Sequence, residues 1–360
     1  MNWRFDPRSR ALSPDESERR AAAGEPSVLR VRVPEGEVLC IRDHVRGEVS
    51  FASEQIEDWV AVRSGGVATY NFACVVDDSA MQISHVIRGE EHLVNTPKQS
   101  LLYRMLGAIE PEYAHVPLIL GQDGKKLSKR TGDTAVEDYR AKGYPPDALF
   151  NFLCLLGFAI DDKTTVFGPE QLVAHFDLAR LQKAGAIFDV EKLHWLCGEY
   201  LRTGGAEALA RHALPWMQAA GLASAAPDAA ERARLQEIAS AFLPRVGLYA
   251  DLPAQSAFLF AEQLTCDEPA RLALAVPEAL AALTAAAEAL GASAWPPADL
   301  KALLQQAAAA AGLKFGALMK PLRAALTGTL GGPELADVVR LLGRERTLAR
   351  LRVAMLVPRG

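Results

Sequence analysis

The period of hydrophobic and polar positions changes along the chain, and each change predicts a different element. In "SVLRVRV", residues 27–33, Leu29, Val31 and Val33 alternate with Val28, Arg30 and Arg32, the pattern of a half-exposed strand. The run "YNFACVVDD", residues 70–78, is apolar and ends in two carboxylates, which predicts a buried strand with a polar C-terminal edge. "SHVIRGEEH" (84–92) predicts a strand running into a loop, and "HVPLILG" (115–121) a further strand. Between these two, "NTPKQSLLYRMLG" predicts a helix. Thr96 serves as its cap, Pro97 suits its first turn, and Gln99 completes a capping box with Thr96. Leu102, Met105 and Leu106 supply the buried stripe, and Gly107 ends the helix. A second capping box, Thr134 with Glu137, opens a helix through "TAVEDYRAKG" that Gly143 ends. After about residue 200 the chain becomes rich in alanine and leucine. "DAAERARLQEIASAFLPR" and "ADLKALLQQAAAAAGL" predict helices of a bundle or superhelix, with no regular repeat of 20–50 residues.

The 360 residues suffice for two or three domains, and a half-hydrophobic, 23% charged composition is that of a globular chain. The formal net charge of -5 gives no overall attraction for a polyanion, so any nucleic-acid surface must be a local patch. One such patch is the C-terminal stretch that carries Arg340, Arg344, Arg346, Arg350, Arg352 and Arg359. Cys40, Cys74, Cys154, Cys197 and Cys266 are scattered, with no C-x-x-C pair. They read as thiols of a reducing cytosol, not as a disulfide framework or zinc site. No apolar run reaches about 18 residues, and the opening "MNWRFDPRSR" lacks the apolar core of a signal peptide. The expectation is a cytoplasmic chain with no membrane contact.

Against this acidic background, "GKKLSKRTG" (124–132) concentrates Lys125, Lys126, Lys129 and Arg130 in one loop. Charged loops are mostly solvated surface. This one follows an apolar strand and precedes a capped helix, and ligands of open α/β sheets bind at the carboxyl ends of strands. Lysines near a polyphosphate stabilise developing negative charge, and Gly121, Gly124 and Gly132 would let the loop close and reopen.

"KKLSKR" resembles the K-M-S-K-S signature of class I aminoacyl-tRNA synthetases in the form usual for glutamyl-tRNA synthetases. "TYNFACVVDD", "HVIRGEEHLVNTPKQSLLYRMLG", "HVPLILGQDGKKLSKR" and "YPPDALFNFLCLLGF" are similar to the bacterial glutamate enzymes in the same order, and "KFGALMKPLRAALTG" with "LLGRERTLARL" resembles their helical end. The resemblance implies a partial Rossmann-type α/β catalytic domain with an acceptor-stem insertion, followed by an all-α anticodon-binding domain. It divides the chain into the remainder of that insertion (1–68), the second half of the Rossmann domain (69–121), the signature loop with a helical stem-contact region (122–200) and the anticodon-binding domain (201–360).

The resemblance further implies ATP-dependent activation of L-glutamate to glutamyl-adenylate and its transfer to tRNA(Glu), by a monomer using ATP with Mg²⁺. Lys126 and Lys129 are the expected catalytic residues, and Lys126, Leu127, Ser128, Lys129 and Arg130 the expected ATP-binding loop. Tyr70, Arg88 and His92 match positions of the glutamate pocket, while Cys74 and Asp78 are expected to be structural. Arg344 and Arg350 are the expected tRNA contacts. Ser9 stands where some relatives place a cysteine ligand, so no zinc is expected there. Departing from the family, no His-x-Gly-His occurs anywhere in the chain, and the resemblance begins inside the acceptor-stem insertion. Two explanations stand: a start internal to a longer gene, or a genuine fragment. The alternative function is a catalytically inactive tRNA-binding fragment or paralogue. Two neighbouring families fit less well: the glutamyl-queuosine tRNA-modifying relative lacks a large anticodon domain, and glutaminyl-tRNA synthetase usually ends in β-barrels.

Overall fold

The computed structural model describes residues 6–127 and 135–357. Helices α1 (Pro7–Ala11) and α2 (Pro14–Ala22) come first, then strands β1 (Leu29–Arg30), β2 (Val38–Asp43), β3 (Gly47–Ala52) and β4 (Val60–Val62). Next are α3 (Tyr70–Ala80), β5 (His85–Gly89), a 3-10 turn over Glu90–Asn95, α4 (Thr96–Leu106), β6 (Glu112–Val116) and β7 (Ile119–Leu120). Helices α5 (Val136–Lys142), α6 (Pro146–Leu155) and α7 (Pro169–His175) and strand β8 (Ala186–Ile187) follow. The remainder is helical: α8 (Val190–Ala219), α9 (Ala229–Phe242), α10 (Asp251–Ser256), α11 (Glu268–Ala275), α12 (Ala279–Ala292), α13 (Leu300–Ala310), α14 (Phe315–Thr327) and α15 (Leu335–Met355). The chain divides into one unit of Met1–Gly132 with Asn151–Asp189, and another of Asp133–Phe150 with Val190–Gly360.

The first unit is built on a four-stranded sheet in the order β3-β2-β6-β5. β2 and β3 form an antiparallel pair, whereas β6 runs parallel to both β2 and β5. Val33, Leu39, Trp59, Val75, Leu101 and Tyr103 belong to its core. Several sequence expectations change here. Residues 70–78 form a helix, not a strand. Short apolar runs carry no decisive period, and this one continues through Asp77, Asp78 and Ser79 into a helical turn that buries Val75. In the 27–33 stretch only Leu29–Arg30 pairs, with β4, while Val31 and Val33 keep the buried side of the predicted alternation. The "HVPLILG" strand is two strands. Pro117 has no N–H to donate to a ladder; β6 stops before it, and β7 pairs with β8 instead. Helix α4 ends at Gly107, as expected, in the left-handed conformation (φ 64°). Its buried face is Leu101, Leu102 and Tyr103, while Met105 and Leu106 are exposed, because its first two turns carry the packing.

The second unit is all-helical, with one continuous core that includes Leu209, Met217, Ile238, Phe242, Leu283, Leu322 and Leu351. The two stretches read as helices are α9, capped by the Asp228 carboxylate, and α13, capped by Asp299. Gly143 ends α5 with φ 83°. A Cβ there would lie 2.6 Å from the Ala250 backbone nitrogen, so no other residue fits. Thr134, the expected cap of this helix, lies outside the described residues. Among the described residues no single helix is long and apolar enough to cross a membrane.

Candidate active site

Arg88, the fourth residue of β5, organises the carboxyl end of the sheet. Its Nε donates to His115 Nε2 at 3.1 Å. Its Nη2 donates to Thr96 Oγ1 at 2.9 Å and to Gln99 Oε1 at 2.8 Å. Thr96 and Gln99 lie three apart on one face of α4, as a capping box requires. The structure corrects that reading: no side chain caps α4, and both polar groups, buried, hold Arg88. Arg88 makes no ion pair with the nearby Glu90 or Glu91. Glu90 pairs with Arg46 at 2.5 Å, and Glu91 with Lys126 at 2.8 Å. Among the described residues Arg88 has no carboxylate within ion-pair distance; the further group its guanidinium faces is the Tyr70 hydroxyl.

Behind Arg88 lies a buried relay that the sequence reading did not single out. Asp43 ends β2, and His115 lies on β6; both are almost fully buried. Asp43 accepts the His115 ring Nδ1–H at 2.5 Å and the backbone N–H groups of Val45 (2.9 Å), Arg46 (2.8 Å) and His115 (3.0 Å). Burial opposes charge on Asp43, but these hydrogen bonds outweigh it and hold the carboxyl below its ordinary range. Burial pulls His115 below its ordinary value of 6.5, against the opposing effect of Asp43. The ring is therefore neutral, its Nδ1–H committed to Asp43 and its Nε2 lone pair turned toward Arg88. Only the parallel pairing of β2 with β6 brings Asp43 to His115, so local sequence carried no signal for this relay.

This relay gives the unit an acid sensitivity of definite sign. In the unfolded chain His115 takes up a proton near pH 6.5, whereas in the folded unit it stays neutral to lower pH. Its contribution to stability is complete above about pH 6.5 and is lost as the pH falls below that value. Asp43 acts in the same sense at lower pH, starting at its ordinary value of 3.8. The unfolding midpoint of this unit falls between about pH 7 and 5.5, and His115→Gln flattens that part of the profile. A thermal-unfolding series across pH checks both.

The other expected site residues gather nearby. Tyr70 opens α3, and its ring lies 6.2 Å from that of His92, centroid to centroid. His92 lies in the 3-10 turn after β5, its Nδ1 3.4 Å from Asn95 Nδ2. The lysine loop springs from β7. Gly124 (φ 71°) turns the chain back so that Gly121 N–H meets the Lys125 carbonyl at 2.7 Å, and Leu127 N–H returns to the Ile119 carbonyl at 2.9 Å. That hairpin carries Lys126 to Glu91, beside His92. Ser128, Lys129 and Arg130 lie outside the described residues. Cys74 is part-buried, and the Asp78 carboxyl is pushed up by burial, with Arg88 opposing.

In the helical unit the two expected tRNA contacts differ. Arg344 is exposed and donates to the Gly291 carbonyl. Arg350 is buried, and its guanidinium donates to the carbonyls of Leu326 (2.6 Å), Phe258 (2.6 Å) and Ala261 (2.8 Å). Burial, with Arg346 adding to it, pulls Arg350 down to about 10. This corrects the expectation that Arg350 meets tRNA: its donors bind the fold. Arg350→Ala is expected to destabilise the helical unit by about 2–4 kcal/mol, because three carbonyls lose a charged donor. Arg344→Ala should stay within about 0.5 kcal/mol. Denaturant titration of both variants separates the two roles.

A family model described as "tRNA synthetases class I (E and Q), catalytic domain" matches residues 2–195, and one described as "Anticodon binding domain" matches residues 208–355. A glutamate–tRNA ligase of Carboxydothermus hydrogenoformans is 41% identical over 344 residues, which are 94% of this chain and 71% of that protein. A glutamate–tRNA ligase of Desulforamulus reducens is 38% identical, over 98% of this chain and 73% of that protein. Among solved structures, a glutamate tRNA ligase from Elizabethkingia meningosepticum, crystallised in complex with its amino acid, superposes with a TM-score of 0.87 at 29% identity. That match covers 99% of this chain and 74% of the other. The mixed sheet, the helical second unit and these matches agree, and the chain belongs to the class I glutamate–tRNA ligase family.

Proposed function

We propose that Arg88 receives a carboxylate of L-glutamate, with Tyr70 and His92 beside it, in the ATP-dependent formation of glutamyl-adenylate and its transfer to tRNA(Glu). The observation that carries this is an arginine held on two of its nitrogens by neutral acceptors, with no carboxylate partner within ion-pair distance among the described residues and the Tyr70 hydroxyl beside it. A guanidinium fixed in this way is pre-organised for a planar anion. The buried relay behind it sets its orientation before substrate arrives, which lowers the entropic cost of binding.

Lys126 and Lys129 are the residues we assign to charge stabilisation when pyrophosphate leaves, with Leu127, Ser128 and Arg130 completing the ATP loop. The exposed Lys126–Glu91 pair is worth little in water, so releasing Lys126 to a phosphate costs little. Bound Mg²⁺, which accompanies ATP in this family, would supply further charge neutralisation. Arg344 is the remaining assigned contact to tRNA, one of several phosphate contacts that make affinity salt-dependent. The four-part division at residues 68, 121 and 200, the monomeric state and a cytoplasmic location belong to the same proposal. The lack of a membrane-spanning single helix among the described residues supports that location.

The test is glutamate-dependent ATP–pyrophosphate exchange by the 360-residue chain with tRNA present, beside a Lys129→Ala control. Exchange that vanishes in the control supports activation by this chain. A second reading, tRNA binding without activation, is favoured by the lack of any His-x-Gly-His in the sequence. Salt-sensitive tRNA binding with no exchange would select that reading.

A further inference from the structure

We propose that His44, His85 and Glu112 form a binding site for one borderline divalent cation, Zn²⁺ or a metal of similar ligand preference. Strand pairing brings the three together. His44 directly follows β2, and its backbone N–H donates to the Tyr113 carbonyl at 2.8 Å. His85 opens β5 and stands in register opposite Glu112, the first residue of β6. As a result His44 Nε2 lies 2.6 Å, and His85 Nε2 3.8 Å, from the same Glu112 oxygen. The three ligand atoms all fall within 4.8 Å of one another. The two rings stack at 6.2 Å with 30° between their planes, and both turn Nε2 toward the Glu112 carboxylate.

Two imidazoles and one carboxylate match the ligand set of open zinc sites, in which water fills the fourth position. Bonds of about 2.0–2.2 Å place tetrahedral ligand atoms about 3.3–3.5 Å apart. The His44–Glu112 contact therefore has to open by less than about 1 Å, and these exposed side chains are free to do so. His85 also has the support that metal-bound imidazoles need. Its Nδ1 lies 2.9 Å from Ser84 Oγ, a hydroxyl able to accept Nδ1–H when Nε2 binds a metal. Ligands that prefer Mg²⁺ or Ca²⁺ are oxygens, so imidazole selects against those ions.

The cluster lies at the amino ends of β5 and β6, whereas Arg88 and His115 lie three residues further along each strand, roughly 10 Å away. A bound cation would therefore tie β2, β5 and β6 together without touching the glutamate end. The sequence expectation of no zinc rested on Ser9 and the scattered cysteines; the residues here are far apart in sequence, with His44 and Glu112 separated by 68 positions.

The experiment titrates the chelator-treated full chain with Zn²⁺ by calorimetry and with Co²⁺ by visible absorption. Glu112→Gln, His44→Gln and His85→Asn are compared with His175→Gln, an exposed histidine elsewhere. The expected result is one equivalent bound, a Co²⁺ spectrum of low coordination number, and a metal-dependent rise in melting temperature. Affinity should fall about 10–100-fold or more in each of the three cluster variants and not in the control. Circular dichroism and melting of the metal-free variants, unchanged from wild type, exclude misfolding as the cause. Binding unaltered by the cluster variants, which would place the metal on cysteine thiols or other groups, overturns the proposal. So does the absence of saturable binding.

Discussion

Replacing Arg88 with alanine lowers affinity for L-glutamate by about 10²–10³-fold while leaving tRNA binding unchanged. The magnitude follows from losing a charge-assisted carboxylate pair that is shielded from water, about 3–4 kcal/mol, at 1.4 kcal/mol per decade. The orientation of Arg88 is fixed by three acceptors on two elements, His115 on β6 and Thr96 and Gln99 on α4. For that reason Arg88→Lys is expected to rescue poorly. An ammonium has three donors on a flexible stem, and it cannot satisfy His115, Thr96 and Gln99 and still meet the substrate squarely. Glutamate titrations of the wild type and both variants, run beside tRNA binding at fixed salt, measure the effect.

Replacing Asp43 with alanine is expected to cost about 3–5 kcal/mol in the first unit, the largest stability effect we predict. The carboxylate is 5% exposed and accepts from three backbone N–H groups and the His115 ring. Its removal leaves these buried donors without partners, and each such donor costs about 1–3 kcal/mol before relaxation. The melting temperature of the unit should fall by about 10 °C or more. Asp43→Asn separates stability from positioning. The amide keeps an acceptor for some of the N–H groups but no longer fixes the His115 tautomer, so Nε2 is no longer reserved for Arg88. This variant should lose less stability than Asp43→Ala and still raise the KM for glutamate. Calorimetric melting and glutamate-dependence curves of the two variants check the split.

These effects centre on residues of unequal visibility in the sequence. The lysine loop stood out by its local charge pattern as well as by family resemblance, and Arg88 by the resemblance alone. The ends of α4 and α5 were legible because Gly107 and Gly143 adopt a conformation that other residues disfavour. Asp43 and His115 were not, because their partnership is made by a parallel strand pair 72 residues apart. Thr96 and Gln99 show the opposite failure: a helix-start pattern was present, but burial next to an arginine turned the same side chains to a different use. The 70–78 stretch differs from its expected strand because a short, largely apolar run fits a strand or a helix equally well, and tertiary packing decides. Arg350 looked like a phosphate ligand by composition, and its burial reverses that reading. On a helix rich in leucine and arginine, charge alone does not distinguish an arginine that faces solvent from one that ties carbonyls together.

The most direct test of the account is calorimetric titration of the chain with L-glutamate and with a non-hydrolysable glutamyl-adenylate analogue, in wild type and Arg88→Ala. The account predicts saturable binding of both by the wild type, tighter for the analogue, and loss of both in the variant, with its melting profile and tRNA binding retained. Wild-type binding that survives in Arg88→Ala, or no wild-type binding to either ligand, would contradict it.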